Sequence, residues 1–75
     1  MKLSEIKAGQ TVRIEKLEAS TLKSRLMSMG MIKGTKVKVL QSAPFGDPMA
    51  VSVRSYVLSL RLADAENIQV SSITE

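Results

Sequence analysis

The sequence predicts a mainly β fold, a small SH3-like barrel of about five antiparallel strands with one short α-helix inserted after the first strand. Three observations predict it. Short segments alternate apolar and polar residues with a period of two, the pattern of strands that bury one face. A single segment carries helical spacing instead, in Leu22, Leu26 and Met29. Turn residues separate the segments closely, and short strands in so small a chain leave exposed sheet edges that closure into a barrel covers.

Each element has its own reason. Leu3-Ser4-Glu5-Ile6 reads as one helical turn with Ser4 as its cap, and Gly9-Gln10 as a turn. Thr11 to Lys16 is a half-buried strand, with Val12 and Ile14 inward and Thr11, Arg13 and Glu15 outward. Ser20 or Thr21 caps the helix, which runs from about Thr21 to Met29 and ends at Gly30. A helix stop there needs a left-handed residue, which glycine supplies without a Cβ penalty. Lys33-Gly34 makes the next turn. Thr35 to Leu40 then alternates with Val37 and Val39 inward, and Ala43 to Pro48 is a loop of turn residues. Met49 to Arg54 alternates with Val51 and Val53 inward, and Ser55-Tyr56 connects it to Val57–Leu62, where Leu58, Leu60 and Leu62 share a face. Ala63 to Glu66 fits one helical turn, Asn67 to Val70 a last short strand, and Ser71 to Glu75 a frayed tail.

The 75 residues suffice for one domain, residues 1–75, and a chain of this size buries only about 60% of its unfolded surface. No apolar run approaches the length of a membrane-spanning helix, and the N-terminus lacks the apolar stretch of a signal peptide. There is no cysteine, which excludes disulfides and thiolate chemistry and suits the cytoplasm. The net charge of +4 favours anionic partners, but the eleven Lys and Arg are scattered, as in ordinary solubilising charge.

Catalysis finds no support. With no histidine, the usual neutral-pH acid–base group and the commonest metal ligand are missing, and no serine has an imidazole partner. Glu15 and Glu18 straddle a strand end, and Asp64 and Glu66 point apart on a one-turn helix, so neither is a paired-carboxylate site. The four glycines fall singly at turns rather than in a phosphate-binding loop. The five methionines offer only weak thioether donors. The reading is therefore no enzyme, with no catalytic, cofactor-binding or metal residue. Small barrels often bind nucleic acid through aromatic side chains that stack on bases. This chain has only Phe45 and Tyr56, not interleaved with its basic residues, so no direct nucleic-acid contact is expected.

Arg25 to Gly34, Val37 to Leu40, Ala43 to Pro48 and Leu60-Arg61, in that order and spacing, resemble the ferrous iron transport protein A (FeoA) family over roughly Leu3 to Val70. Lys33 departs from the pattern, since the family commonly places proline before that glycine, and this loosens the turn. The resemblance implies an SH3-like barrel. It also implies a cytoplasmic accessory or regulatory role in bacterial ferrous iron uptake, through contact with the membrane transporter ferrous iron transport protein B, which carries a GTP-binding domain. The same barrel resembles the C-terminal domain of iron-dependent repressors, so a basic barrel that binds nucleic acid or serves iron-dependent transcription is the alternative.

Candidate partner-binding residues are Arg25, Met27, Met31, Phe45 and Tyr56. Met27 lies about 100° around the helix from Leu26, off the core stripe, and Met31 follows Gly30. Each methionine is either covered by strands or an adaptable contact for a partner. Arg25 is either a solvated helix residue or the mate of an acidic group. Phe45 is a lid over one barrel end or an exposed aromatic anchor, and Tyr56 at the hairpin has the same two readings. Gly30, Gly34, Gly46, Asp47 and Pro48 are structural turn residues.

Overall fold

A computed structural model describes residues 1–18, 23–41 and 48–73. The cap expected at Ser20 or Thr21, and Phe45, Gly46 and Asp47, lie outside the described residues. A 3-10 turn at Leu3–Glu5 is followed by β1 (Thr11–Leu17), α1 (Lys23–Ser28), β2 (Lys36–Gln41), β3 (Met49–Val53), β4 (Tyr56–Leu60), α2 (Leu62–Ala65) and β5 (Ile68–Ser72). The strands form one antiparallel sheet in the order β4-β3-β2-β1-β5. The expected mainly β class, five antiparallel strands and helix after the first strand are all present.

The inward residues of every strand converge on one core. Val12, Ile14, Val37, Val39, Met49, Val51, Val53, Leu60, Ile68 and Val70 are buried, with Leu3, Ile6, Leu26 and Ala65 packed among them. No polar or charged side chain is buried among the described residues. In β1 the alternation breaks. The register with β5 shifts between Ile14 and Lys16, and this bulge turns Leu17 inward, which a strict period of two would have left outside.

The helix stop is a pair of hydrogen bonds. Gly30 N–H donates to the Met27 carbonyl at 3.1 Å and Met31 N–H to the Leu26 carbonyl at 2.9 Å, while Gly30 sits at φ +96°. That is the Schellman arrangement, which brings the residue after the glycine back over the last helical turn. A Cβ on Gly30 would also come within 3.2 Å of Arg54 Nε. Beyond it, Thr35 N–H donates to the Ile32 carbonyl at 3.0 Å around Lys33-Gly34. Gly34 at φ +93° and Lys33 outside the positive region make this a type II turn. Gly34 N–H to Ile14 O at 2.7 Å and Ile14 N–H to Thr35 O at 2.9 Å pin the turn to β1.

Four local expectations need correction. Ser4 does not cap the first turn; Lys2 takes the cap position, and its N–H donates to Glu5 Oε1 at 2.9 Å. The connection after β3 is Arg54-Ser55, and Tyr56 is already in β4, paired with Val53. Leu62 opens α2 instead of ending β4. Ser71 and Ser72 belong to β5, held by pairing with Arg13 and Val12 and by Ser71 Oγ donating to Glu15 Oε2 at 2.6 Å. Backbone pairing decides that last stretch, against its polar side chains.

Gly30→Val is expected to lower stability by about 1–2 kcal/mol through left-handed strain, and urea denaturation measures it. Lys33→Pro places proline at the turn position that prefers it and is expected to raise stability by about 0.4–1 kcal/mol by restricting the unfolded chain. Thermal unfolding at matched buffer checks the sign.

Candidate functional site

The Gly30 reversal sets α1 beside the β3–β4 hairpin, and two adjoining grooves open between them. One, of about 260 Å³, has Arg25, Leu26 and Met29 of the helix side facing Leu58, Ser59, Leu60, Arg61 and Asp64. The other, of about 450 Å³, is lined by Met27, Ser28, Met29, Gly30, Ile32, Arg54 and Tyr56. Met29 borders both.

The local folding of each wall accounts for what it shows. Leu26 faces the core and Met29 is half-buried, as the helical stripe requires, while Leu22 lies outside the described residues. Met27, off the stripe, is 46% exposed, and Ile32 just past the reversal is 38% exposed. On the hairpin, Arg54 adopts φ +55°, the left-handed conformation a two-residue connection demands and a non-glycine residue rarely takes. Tyr56 is half-buried, and its hydroxyl is buried with no hydrogen-bond partner among the described residues. The face thus combines apolar side chains with three guanidinium groups, Arg25, Arg54 and Arg61, against the single carboxylate of Asp64.

Such a surface suits contact with another macromolecule. Among the described residues no three His, Cys, Asp or Glu side chains gather as a metal site would need. Glu15 and Glu18, away from the grooves, accept hydrogen bonds from Ser71 and, at 3.5 Å, from Gln69.

Of the residues singled out from sequence, Arg25, Met27 and Tyr56 come together on this face. Met31 does not. It is fully buried in the core, because the same backbone reversal that exposes Met27 swings Met31 inward beside the last turn of the helix. Phe45, Gly46 and Asp47 lie outside the described residues, and Pro48 is exposed just ahead of β3. Sequence reasoning missed Ile32, Arg54 and Arg61. Arg54-Ser55 carries neither glycine nor asparagine, so the usual mark of a two-residue hairpin turn is absent. The hint available was the length left between the two alternating segments.

Five antiparallel strands, a helix after the first and a short helical turn before the last define a small SH3-like β domain. The FeoA domain model matches residues 1–72, and the chain belongs to the FeoA family. It is 35% identical over 75 residues to an Fe(2+) transport protein A/Fe(2+) transporter FeoB fusion protein of Porphyromonas gingivalis, covering 99% of this chain and 9% of that protein. The solution structure of a FeoA protein from Chlorobium tepidum superposes with a TM-score of 0.90 at 40% identity, covering 99% of this chain and 71% of the other. A zinc complex of Stenotrophomonas maltophilia FeoA, described as a prokaryotic SH3 domain protein, superposes with a TM-score of 0.85 at 26% identity, covering 95% and 89%. The family links this chain to ferrous iron transport. No helix among the described residues is long and apolar enough to cross a membrane.

The opposite fates of the two methionines are measurable. Met31→Ala is expected to lose about 2–5 kcal/mol of stability, as large-to-small core changes do. Met27→Asp is expected to stay within about 0.5 kcal/mol of the parent, as exposed substitutions do. Chemical denaturation of both variants compares them directly.

Proposed function

We propose that this protein is a non-enzymatic cytoplasmic accessory factor of bacterial ferrous iron uptake that works by direct contact with the membrane transporter FeoB. The observation that carries the reading is the Porphyromonas gingivalis relative, in which a segment like this whole chain is joined to FeoB in one polypeptide. Covalent linkage keeps two modules at millimolar effective concentration. That is useful where the two act on each other. The Stenotrophomonas maltophilia FeoA, put forward as a ferrous iron transport activating factor, supports the same role.

The chain's own chemistry agrees. It holds no histidine and no cysteine, and the grooves between helix and hairpin are lined by apolar and basic side chains. Met27 is the adaptable apolar contact at that surface, and Arg25 supplies charge beside it. The nucleic-acid alternative is the weaker reading, since the basic residues are scattered along the chain and the aromatic side chains are only Phe45 and Tyr56. Tyr56 keeps its hydroxyl buried rather than standing out as a stacking platform.

Deleting the gene in a host that depends on this uptake system is expected to depress ferrous iron uptake, read as radio-iron accumulation. Met27→Asp, folded normally, is expected to fail to restore it. Normal uptake after deletion removes the transport role, and full rescue by Met27→Asp removes Met27 from the contact.

A further inference from the structure

The two edges of the sheet are treated differently. The β5 edge is covered by the chain's own N-terminal segment: Lys2 bridges Gln69, and Val70 N–H donates to the Met1 carbonyl at 2.8 Å. The β4 edge has no such cover among the described residues. The ladder of neighbouring strands shows which of its backbone groups lack a partner among the described residues. Val39 N–H donates to Gln10 O at 2.9 Å and Gly9 N–H to Val39 O at 2.7 Å, so the polar groups of Val39 face the β1 side. Antiparallel ladders alternate residue by residue. Lys38 therefore faces β3 and bonds its partner Ser52, and Val51 and Val53 face β4, where they meet Leu58 and Tyr56. That leaves the N–H and C=O of Val57 and Ser59 pointing out of the sheet.

Edge strands in soluble proteins are usually blunted by charge, proline or a bulge. Tyr56-Val57-Leu58-Ser59-Leu60 has none of these, and its five pairings with β3 run without a register shift. Val57 is 61% exposed. The 260 Å³ groove is lined on its strand side by Leu58, Ser59 and Leu60 of β4. Arg54 precedes the strand, Arg61 follows it and Arg25 overhangs the groove, while Asp64 is the one acidic side chain there.

We propose that the β4 edge is a strand-addition site for an extended acidic peptide segment of a partner protein. Backbone groups of Val57 and Ser59 pair with the incoming strand, and Arg25, Arg54 and Arg61 read its carboxylates. A second copy of this chain is the poorer occupant: antiparallel self-pairing of β4 sets Arg61 of one copy near Arg54 of the other, like charge against like, in a molecule of net charge +4. The proposal deepens the transporter-contact reading by naming the chemistry of the partner segment, but its test needs no transporter.

The probe is a capped heptapeptide, Glu-Thr-Glu-Val-Glu-Thr-Glu, with two controls: the same peptide with every Glu changed to Lys, and the acidic peptide N-methylated at alternate backbone positions. Titration into isotope-labelled protein at low salt is followed by amide shifts. The acidic peptide is expected to shift the Val57 and Ser59 amides, slow their hydrogen exchange, and bind at least about tenfold more tightly than the basic one. N-methylation is expected to abolish the effect. Arg25→Glu/Arg61→Glu is expected to weaken binding about tenfold. Val57→Pro removes an outward N–H, which an edge strand tolerates, and is expected to fold and not bind. If that variant fails to fold, the N-methylated peptide on the parent protein still decides. Equal binding of acidic and basic peptides, or shifts that spare Val57 and Ser59, overturns the proposal. So does a concentration-dependent dimer formed through these amides without peptide. Binding as described in a protein whose deletion leaves iron uptake normal would uphold the edge site and remove only the transport role.

Discussion

The hydrogen bonds across Gly30 are the constraint from which most of this structure follows. With Met27 and Leu26 accepting from Gly30 and Met31, the helix stops where its stripe ends and the chain doubles back. Met31 becomes core, and Met27 is left on the surface. The type II turn at Lys33-Gly34 then hands the chain to β2 while bonding Ile14 of β1 from both sides. A residue with a Cβ at position 30 would resist the left-handed backbone and crowd Arg54 at once, so one glycine fixes both the helix end and the distance between helix and hairpin.

That spacing creates the grooves. Met29 and Leu58 are left only partly buried between helix and hairpin. In a chain this small every apolar side chain that can reach the core is needed there. Met27 and Ile32 stay exposed along the grooves with Arg25, Arg54 and Arg61, and Val57 is exposed on β4. The β5 edge is covered by the N-terminal segment, while the β4 edge has no such cover among the described residues.

Membership of the FeoA family links the chain to ferrous iron transport. An SH3-like fold alone carries no function, since the same frame serves unrelated roles. In this chain a thioether, a half-buried tyrosine and three arginines lie around the helix–hairpin grooves.

Local physics made much of this legible in the residues alone. Period-two alternation marked Val12, Ile14, Val37, Val39, Val51 and Val53 as core, and the stripe through Leu26 with Gly30 behind it marked the helix and its stop, because these depend on neighbours a few positions away. Exposure of Met27 followed from the same angular count. Other features depend on partners distant in sequence. Leu17 points inward only because β5 imposes a bulge on β1, and Ser71 and Ser72 are strand only because Arg13 and Val12 pair with them. Met31 is buried because a backbone reversal, invisible to a periodicity count, aims it at strands from elsewhere in the chain. Which edge of the sheet stays open follows from strand order and ladder alternation, properties of the assembled sheet that no single strand carries in its residues.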